Sequence, residues 1–269
     1  MTMTADGRSS ADVRFFWAAA GFVAASVATV AGAAEAPVIH LGTSVKVGDG
    51  TARTMVVENA AGKPTSIAVL LSEKALQGLP QDHGQGHQAV IHELPMPTGG
   101  PRTGYDHATV DWNPKGHMPE GVYSLPHFDV HFYMVDRVRR DAITFKGADA
   151  AAASKAPAAE LVPAGYVVPP EGAVEKMGLH GLDPSGPEFR GKPFTATFIY
   201  GYYRGETVFL EPMVAKAFLE TKPDVTMAVR MPQSYSRPGY YPARYRVAYD
   251  PQTQSYVVAM SGLTPWRME

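Results

Sequence analysis

Polar and apolar side chains alternate most strictly from Pro126 to Tyr133, a stretch that reads PHFDVHFY. On a β-strand successive side chains point to opposite faces, so His127, Asp129 and His131 share one face. Phe128, Val130 and Phe132 share the other, which is the face a strand packs on a core. A helix would set His127 and His131 one turn apart. A run so rich in aromatic and β-branched residues, directly after a proline, favours the strand.

The same reading yields strands through much of the chain. Thr51 to Glu58 alternates, Ala60 to Pro64 is a turn, and Ser66 to Leu71 is a buried run. Ser72 is placed to cap a short helix reaching Gln77. His107 to Trp112 is a short strand, and Trp112 to Pro119 a structured loop leading into the central stretch. Thr195 to Tyr203 and Glu206 to Leu210 form a hairpin turning at Arg204 and Gly205. Glu211 and Pro212 end its second strand, before a short amphipathic helix from Met213 to Glu220. Val225 to Met231 pairs with Arg244 to Tyr249, and Ser255 to Met260 completes a meander. Its six tyrosines suit either an aromatic binding wall or sheet edges and subunit contacts. Arg137 to Arg140 reads as a solvated or sheet-edge charge group. These elements predict an α+β protein, mostly antiparallel β-sheet with a few short helices around a sandwich- or barrel-like core.

Composition adds the compartment. Arg8 and Arg14 precede an apolar run from Phe15 to Val30, and Ala31-Gly32-Ala33 follows as a signal-peptidase pattern. A signal peptide over residues 1–33 implies a periplasmic or secreted protein with no stable membrane insertion after cleavage; a retained anchor is the competing reading. Residues 34–269 then form a single sheet-rich domain, with a low-complexity, alanine-rich segment at 147–160. The chain has no cysteine, so disulfides and a lipoprotein anchor are excluded, and stability falls to the core, a metal or oligomerisation. Net charge is −2 with both signs mixed along the chain, which is no nucleic-acid footprint.

The row His127, Asp129, His131 carries the candidate chemistry. Two imidazoles and a carboxylate are costly to bury without a partner, and a divalent metal is the simplest one. Strand residues two apart are roughly 6.5–7 Å apart and residues four apart roughly 13 Å. Neighbouring pairs therefore chelate one ion easily, whereas both histidines need a bulge or strong curvature. A structural His–Asp–His hydrogen-bond network and a metal-free acid/base or binding site are the alternatives. His117, in the preceding loop, either folds back on this site or fixes the turn. Tyr123 and Glu120 are supporting candidates. His180 stands between close glycines that let a tight loop present it. Glu211, before a proline, is either a functional carboxylate on a rigid support or a helix-terminal charge. His83, His87 and His92 sit in a Gly/Gln-rich segment that reads as a solvated loop.

Two resemblances attach to these residues. Trp112 to His117, Tyr123 to Tyr133, Met177 to His180 and Phe209 to Pro212 together resemble a poorly characterised family of secreted bacterial proteins. That family is similar to a ring-forming thermophile protein controlled by an extracytoplasmic sigma factor. The resemblance implies export, envelope-stress control and assembly as a homo-oligomer, but no reaction. Asp129 to Phe132 and Gly178 to Asp183 are similar to the zinc segment of acetolactate decarboxylase. This likeness implies zinc held by His131 and His180, with Asp129 standing where that family has its first histidine and His127 available to replace it.

The expectation is thus an exported metalloenzyme with zinc as the preferred ion. His127, Asp129, His131 and His180 are its metal ligands, and Glu211 and His117 its catalytic residues. It would hydrolyse or decarboxylate a small carbonyl or ester substrate. The rival is a non-catalytic, ring-forming envelope-stress or binding protein whose metal, if any, is structural.

Overall fold

The computed structural model of the chain describes residues 36–82 and 89–268. Residues 1–33, read above as a signal peptide, and His83 and His87 lie outside the described residues. Sixteen strands occur among the described residues. The N-terminal group is β1 (Val38–Leu41), β2 (Val45–Val47), β3 (Gly50–Glu58) and β4 (Pro64–Ser72). Then come β5 (Val90–Pro95), β6 (His107–Asn113), β7 (His127–Tyr133), β8 (Ala173–Val174) and β9 (Gly178–Gly181). A long hairpin, β10 (Ala196–Tyr203) with β11 (Glu206–Ala215), precedes β12 (Asp224–Ala228). The chain closes with β13 (Gly239–Tyr241), β14 (Arg244–Asp250), β15 (Ser255–Ser261) and β16 (Thr264–Trp266). The α-helices are short: α1 (Arg137–Asp141), α2 (Ala148–Ala153) and α3 (Lys216–Glu220).

Two seven-stranded sheets result. The first runs β1-β3-β4-β15-β14-β12, with β2 also paired to β3; the second runs β5-β6-β7-β11-β10-β9-β8. Every recorded strand pair is antiparallel, which confirms the mostly antiparallel α+β class; the sheet curls toward a half-barrel. The inner faces share one core, in which Ile67, Val69, Val247 and Val258 of the first sheet belong with Val110, Trp112, Phe128, Val130 and Phe132 of the second. Each such side chain contributes about 1.5–3 kcal/mol by leaving water. Trp112 keeps its indole N–H satisfied by donating to the Pro80 carbonyl at 2.7 Å.

The other face of the second sheet is polar, and it is buried too. Every residue of β6 and β7 is buried, on both faces. Cross-strand register pairs Thr109 with His131, Asp111 with Asp129 and Asn113 with His127. Pairing of β11 with β7 is recorded at Leu210↔Phe132 and resumes at Met213↔Asp129. The gap falls at Glu211-Pro212, where proline has no N–H to give a ladder bond, and the register across it sets Glu211 opposite His131. Over one end of this face Tyr123, Leu182 and Phe194 cluster with Ile199, Met213 and Ala215. At the other end Val135 and Val208 pack with Tyr133 and Phe209.

Several local expectations change. Glu211 does not end its strand; β11 continues through Pro212 to Ala215, and only Lys216–Glu220 is helical. Ser72 makes no side-chain cap, because its hydroxyl accepts from the Thr51 N–H instead. The C-terminal tyrosines are not a surface wall: Tyr235, Tyr241, Tyr245 and Tyr256 are buried in the shared core, Tyr235 stacking on Tyr241. Arg140 is not a solvated charge either. It is buried, with its guanidinium on Glu93, Asp141 and the His107 ring.

Candidate metal centres

The sheet sorts the residues singled out above into two groups rather than one. His117, His127 and Asp129 form the first; His131, His180 and Glu211 form the second. Within each group one donor atom per residue lies within 4.8 Å of the others. The single set of His127, Asp129, His131 and His180 is therefore split between Asp129 and His131, neighbours on one face of β7. Strand geometry is the reason: four positions apart, His127 and His131 stand too far from one another to share an ion on an uninterrupted strand.

The first group joins a loop to a strand. His127 Nε2 is 3.1 Å from Asp129 Oδ1, and His117 Nε2 is 3.3 Å from Asp129 Oδ2. Asn113 also donates its side-chain N–H to Asp129 Oδ2, at 2.7 Å. Burial works to raise the pKa of Asp129, but His127 and His117 outweigh it and hold the carboxyl well below its ordinary range. Burial likewise works to lower His117, and the Asp129 carboxylate reverses that.

The second group draws one residue each from β7, β9 and β11. His131 Nε2 is 3.5 Å from Glu211 Oε2, and His180 Nε2 lies 4.0 Å from the same oxygen. The pairing of Gly201 with His180 brings β9 onto this face. Gly201 has to be glycine here, since a Cβ would sit 2.1 Å from the Phe209 ring. That ring in turn wedges against His131 and His180, with centroids at 4.8 and 5.4 Å. Burial pushes His131 down to about 3 and also lowers His180. Burial pushes Glu211 up, and the charges of Asp129 and Asp111 push it further.

One regularity unites the four histidines. Nδ1 of His117 meets the Met118 carbonyl at 2.6 Å, Nδ1 of His127 the Leu125 carbonyl at 2.6 Å, and Nδ1 of His180 the Gly172 carbonyl at 3.0 Å. A carbonyl accepts only, so each Nδ1 carries a proton, and in the neutral ring the lone pair is on Nε2. Nδ1 of His131 faces Thr109 Oγ1 at 3.3 Å and Asp111 Oδ2 at 3.4 Å. All four Nε2 atoms thus point at a carboxylate of their own group, the arrangement found where a metal-ligating histidine is oriented through its other nitrogen. Four of the converging atoms, His127 Nε2, Asp129 Oδ1, His131 Nε2 and Glu211 Oε2, are buried and make no hydrogen bond. Buried polar atoms are rarely left so, and a cation at each group satisfies them. The donor sets fit zinc or a similar borderline divalent ion.

Asp111 was not singled out from the sequence. It is buried opposite Asp129 with neither carboxylate oxygen hydrogen-bonded, and burial, followed by the Asp129 charge, raises its pKa. The signal was available: His107, Thr109, Asp111 and Asn113 alternate with Ala108, Val110 and Trp112 as strictly as the residues of β7 do. His92 belongs to neither group, because it pairs with Val110 and faces the core. Tyr123 is buried with its hydroxyl unpartnered; burial raises its pKa, and the charges of Glu188 and Glu211 add to the effect.

Fold and site together define the class: a protein of two large antiparallel sheets and a small third one, β13 with β16, carrying on one buried face two three-donor groups able to hold divalent cations. A family model described as TTHB210-like, hypothetical protein TTHB210, matches residues 59–112. Over that stretch the chain is similar to this family, in keeping with the thermophile likeness read from the sequence. The matched residues reach from the turn before β4 to Trp112 in β6 and include Asp111, but none of the six donors. No curated protein and no solved structure matches the chain.

Proposed function

We propose that the chain is an exported metalloenzyme, using zinc or a similar divalent ion, that hydrolyses or decarboxylates a small carbonyl or ester compound. His131, His180 and Glu211 hold the working ion. The observation that carries this reading is the convergence of His131 Nε2 and His180 Nε2 on Glu211 Oε2, with His131 Nε2 and Glu211 Oε2 both buried and without a hydrogen bond. Three protein donors leave a four-coordinate ion one free position, the pattern of catalytic rather than closed structural sites. An ion so held polarises a substrate carbonyl or lowers the pKa of water.

The chain's own residues divide the remaining work. Glu211 becomes a donor instead of the separate acid/base expected of it, and it must give up the proton that burial favours. Thr109 orients His131 through Nδ1, and the Phe209 ring packs against both imidazoles. His180, 15% exposed at its side chain against 1% for His131 and 2% for Glu211, marks the side from which a small substrate arrives. Export rests on the N-terminal pattern of charged, apolar and small residues.

The test is elemental analysis of untagged protein from the periplasm, beside a His131→Ala/His180→Ala variant, followed by a screen of esters, lactones and keto acids. The expected result is turnover by the wild type that falls at least about 10³-fold in the folded variant, together with the loss of one equivalent of metal. Turnover undiminished in the variant, or a wild type that neither retains nor takes up metal at this group, defeats the reading.

A further inference from the structure

We infer a second, independent metal site at His117, His127 and Asp129, whose ion clips the loop of residues 114–126 onto β7 and so fastens the cover of the polar face. The site differs from the working one in how its donors are supplied. His131, His180 and Glu211 all stand on paired strands, whereas His117 comes from a loop and only His127 and Asp129 from β7.

The loop contains few fixed points of its own. Within it the His117 N–H donates to the Tyr123 carbonyl at 3.0 Å, Val122 and Tyr123 donate to the Pro119 carbonyl, and the Gly121 N–H donates to the Ser124 hydroxyl. These bonds shape the loop without tying it to the sheet. What reaches the sheet is His117, through Asp129, Tyr123, whose buried ring packs edge-on to Phe194 at 5.1 Å, and, at the end of the loop, the carbonyls of Leu125 and Pro126, which accept from His127 Nδ1 and the Lys216 N–H. An ion joining His117 to His127 and Asp129 therefore fastens the start of the loop to the strand that follows it.

The donor atoms are arranged for this. Asn113 occupies Asp129 Oδ2 and leaves Oδ1 buried and without a hydrogen bond; His127 Nε2, 3.1 Å away, is in the same condition. His117 Nε2 completes a trio of two imidazoles and one carboxylate, the donor chemistry of zinc, cobalt(II) and related ions. The two sites are separate. Asp129 and His131 are two residues apart on one strand face, roughly 6.5–7 Å, so ions on either side of them fall beyond the roughly 3.5–4 Å of a bridged pair.

The experiment uses the full mature chain, stripped with EDTA and reloaded with zinc or cobalt(II). Wild type, His117→Ala, Asp129→Asn and His131→Ala/His180→Ala are compared for bound metal. Trypsin cleavage after the exposed Lys115, inside the loop, is followed with and without metal. The expected result is two ions in the wild type and one in each variant. Cleavage after Lys115 should accelerate about tenfold on stripping the wild type, and equally in His117→Ala whether or not metal is present. His117 is partly exposed, so its removal leaves the core intact, and an unchanged circular dichroism spectrum checks this. A wild type holding one ion that only the His131/His180 variant loses overturns the second site while sparing the enzyme reading. Two ions with cleavage indifferent to metal or to His117→Ala overturns the clip.

Discussion

The two faces of the second sheet are made by the same strands and meet opposite fates. On β6 and β7 one face sets Val110, Trp112, Phe128, Val130 and Phe132 against the first sheet. The other sets Thr109, Asp111, Asn113, His127, Asp129 and His131 into an equally buried layer. The first gains from every apolar group it removes from water. The second removes charges and imidazoles from water and leaves several of their atoms without a hydrogen bond, a net cost in the metal-free protein. One side of the sheet supplies the stability that the other spends on chemistry, which is the usual relation between a scaffold and its site.

The largest effect expected from breaking this contrast lies on the apolar face. Phe128 is fully buried and packs on Trp112 with ring centroids 4.8 Å apart. Phe128→Ala should lower stability by about 3–5 kcal/mol through lost transfer energy and the cavity left behind. Under conditions where the variant remains folded, bound metal per chain should be unchanged, because no donor is touched. Denaturant titration with parallel metal analysis measures both, and a variant that loses metal while folded would show that the faces are not separable.

The polar face should respond with the opposite sign. Glu211→Met keeps the length of the side chain but removes a buried carboxyl whose Oε2 has no hydrogen-bond partner. Metal-free Glu211→Met should therefore be more stable than metal-free wild type, by about 1–3 kcal/mol. It should also lose the added stability that zinc confers at the second group. Thermal melts in EDTA and in zinc separate the two statements. A metal-free variant less stable than wild type would mean that Glu211 is already satisfied, and the case for an ion there would fail.

How much of this was legible beforehand depends on the range of the interaction. Period-2 alternation is local, so β7 and its polar row stood out in the sequence, as did the hairpin of β10 and β11. The division of the donors into two groups is not local. It depends on β11 lying beside β7 and on β9 joining through β10, pairings that bring residues 131, 180 and 211 together across long connections. No spacing along the chain encodes that. Asp111 was missed for another reason: its strand carries the same alternation, but a lone carboxylate without neighbouring histidines gave no reason to single it out until register set it opposite Asp129. Pro212 misled in a third way, since a proline after a strand usually ends it, and here the strand passes through at a cost of one ladder bond.

The far end of the polar face supplies the smallest effect and the sharpest control, because its histidine needs no ion. His107 donates from Nδ1 to Asp106 at 2.8 Å and accepts at Nε2 from Arg140 at 3.2 Å, so both nitrogens are occupied within the protein. Arg140 also binds Glu93 and Asp141. Burial works to raise Glu93, but Arg140 and then Arg137 outweigh it; at Asp141 the hydrogen bond from Arg140 is the main cause, and both carboxyls end below their ordinary values. A carboxylate lowered in the folded state stabilises it above the unfolded pKa, near 4, and that contribution is lost as pH falls through the lowered value, because the unfolded chain takes up protons first. Arg140→Met should thus be less stable than wild type at pH 6, with the difference narrowing toward pH 3. The narrowing should stay under about 1 kcal/mol, since Glu93 and Asp141 are partly exposed and screened. Zinc should leave it untouched. A difference that stays constant with pH would show that Arg140 acts through packing alone, and one that zinc abolishes would join this end of the face to the metal groups.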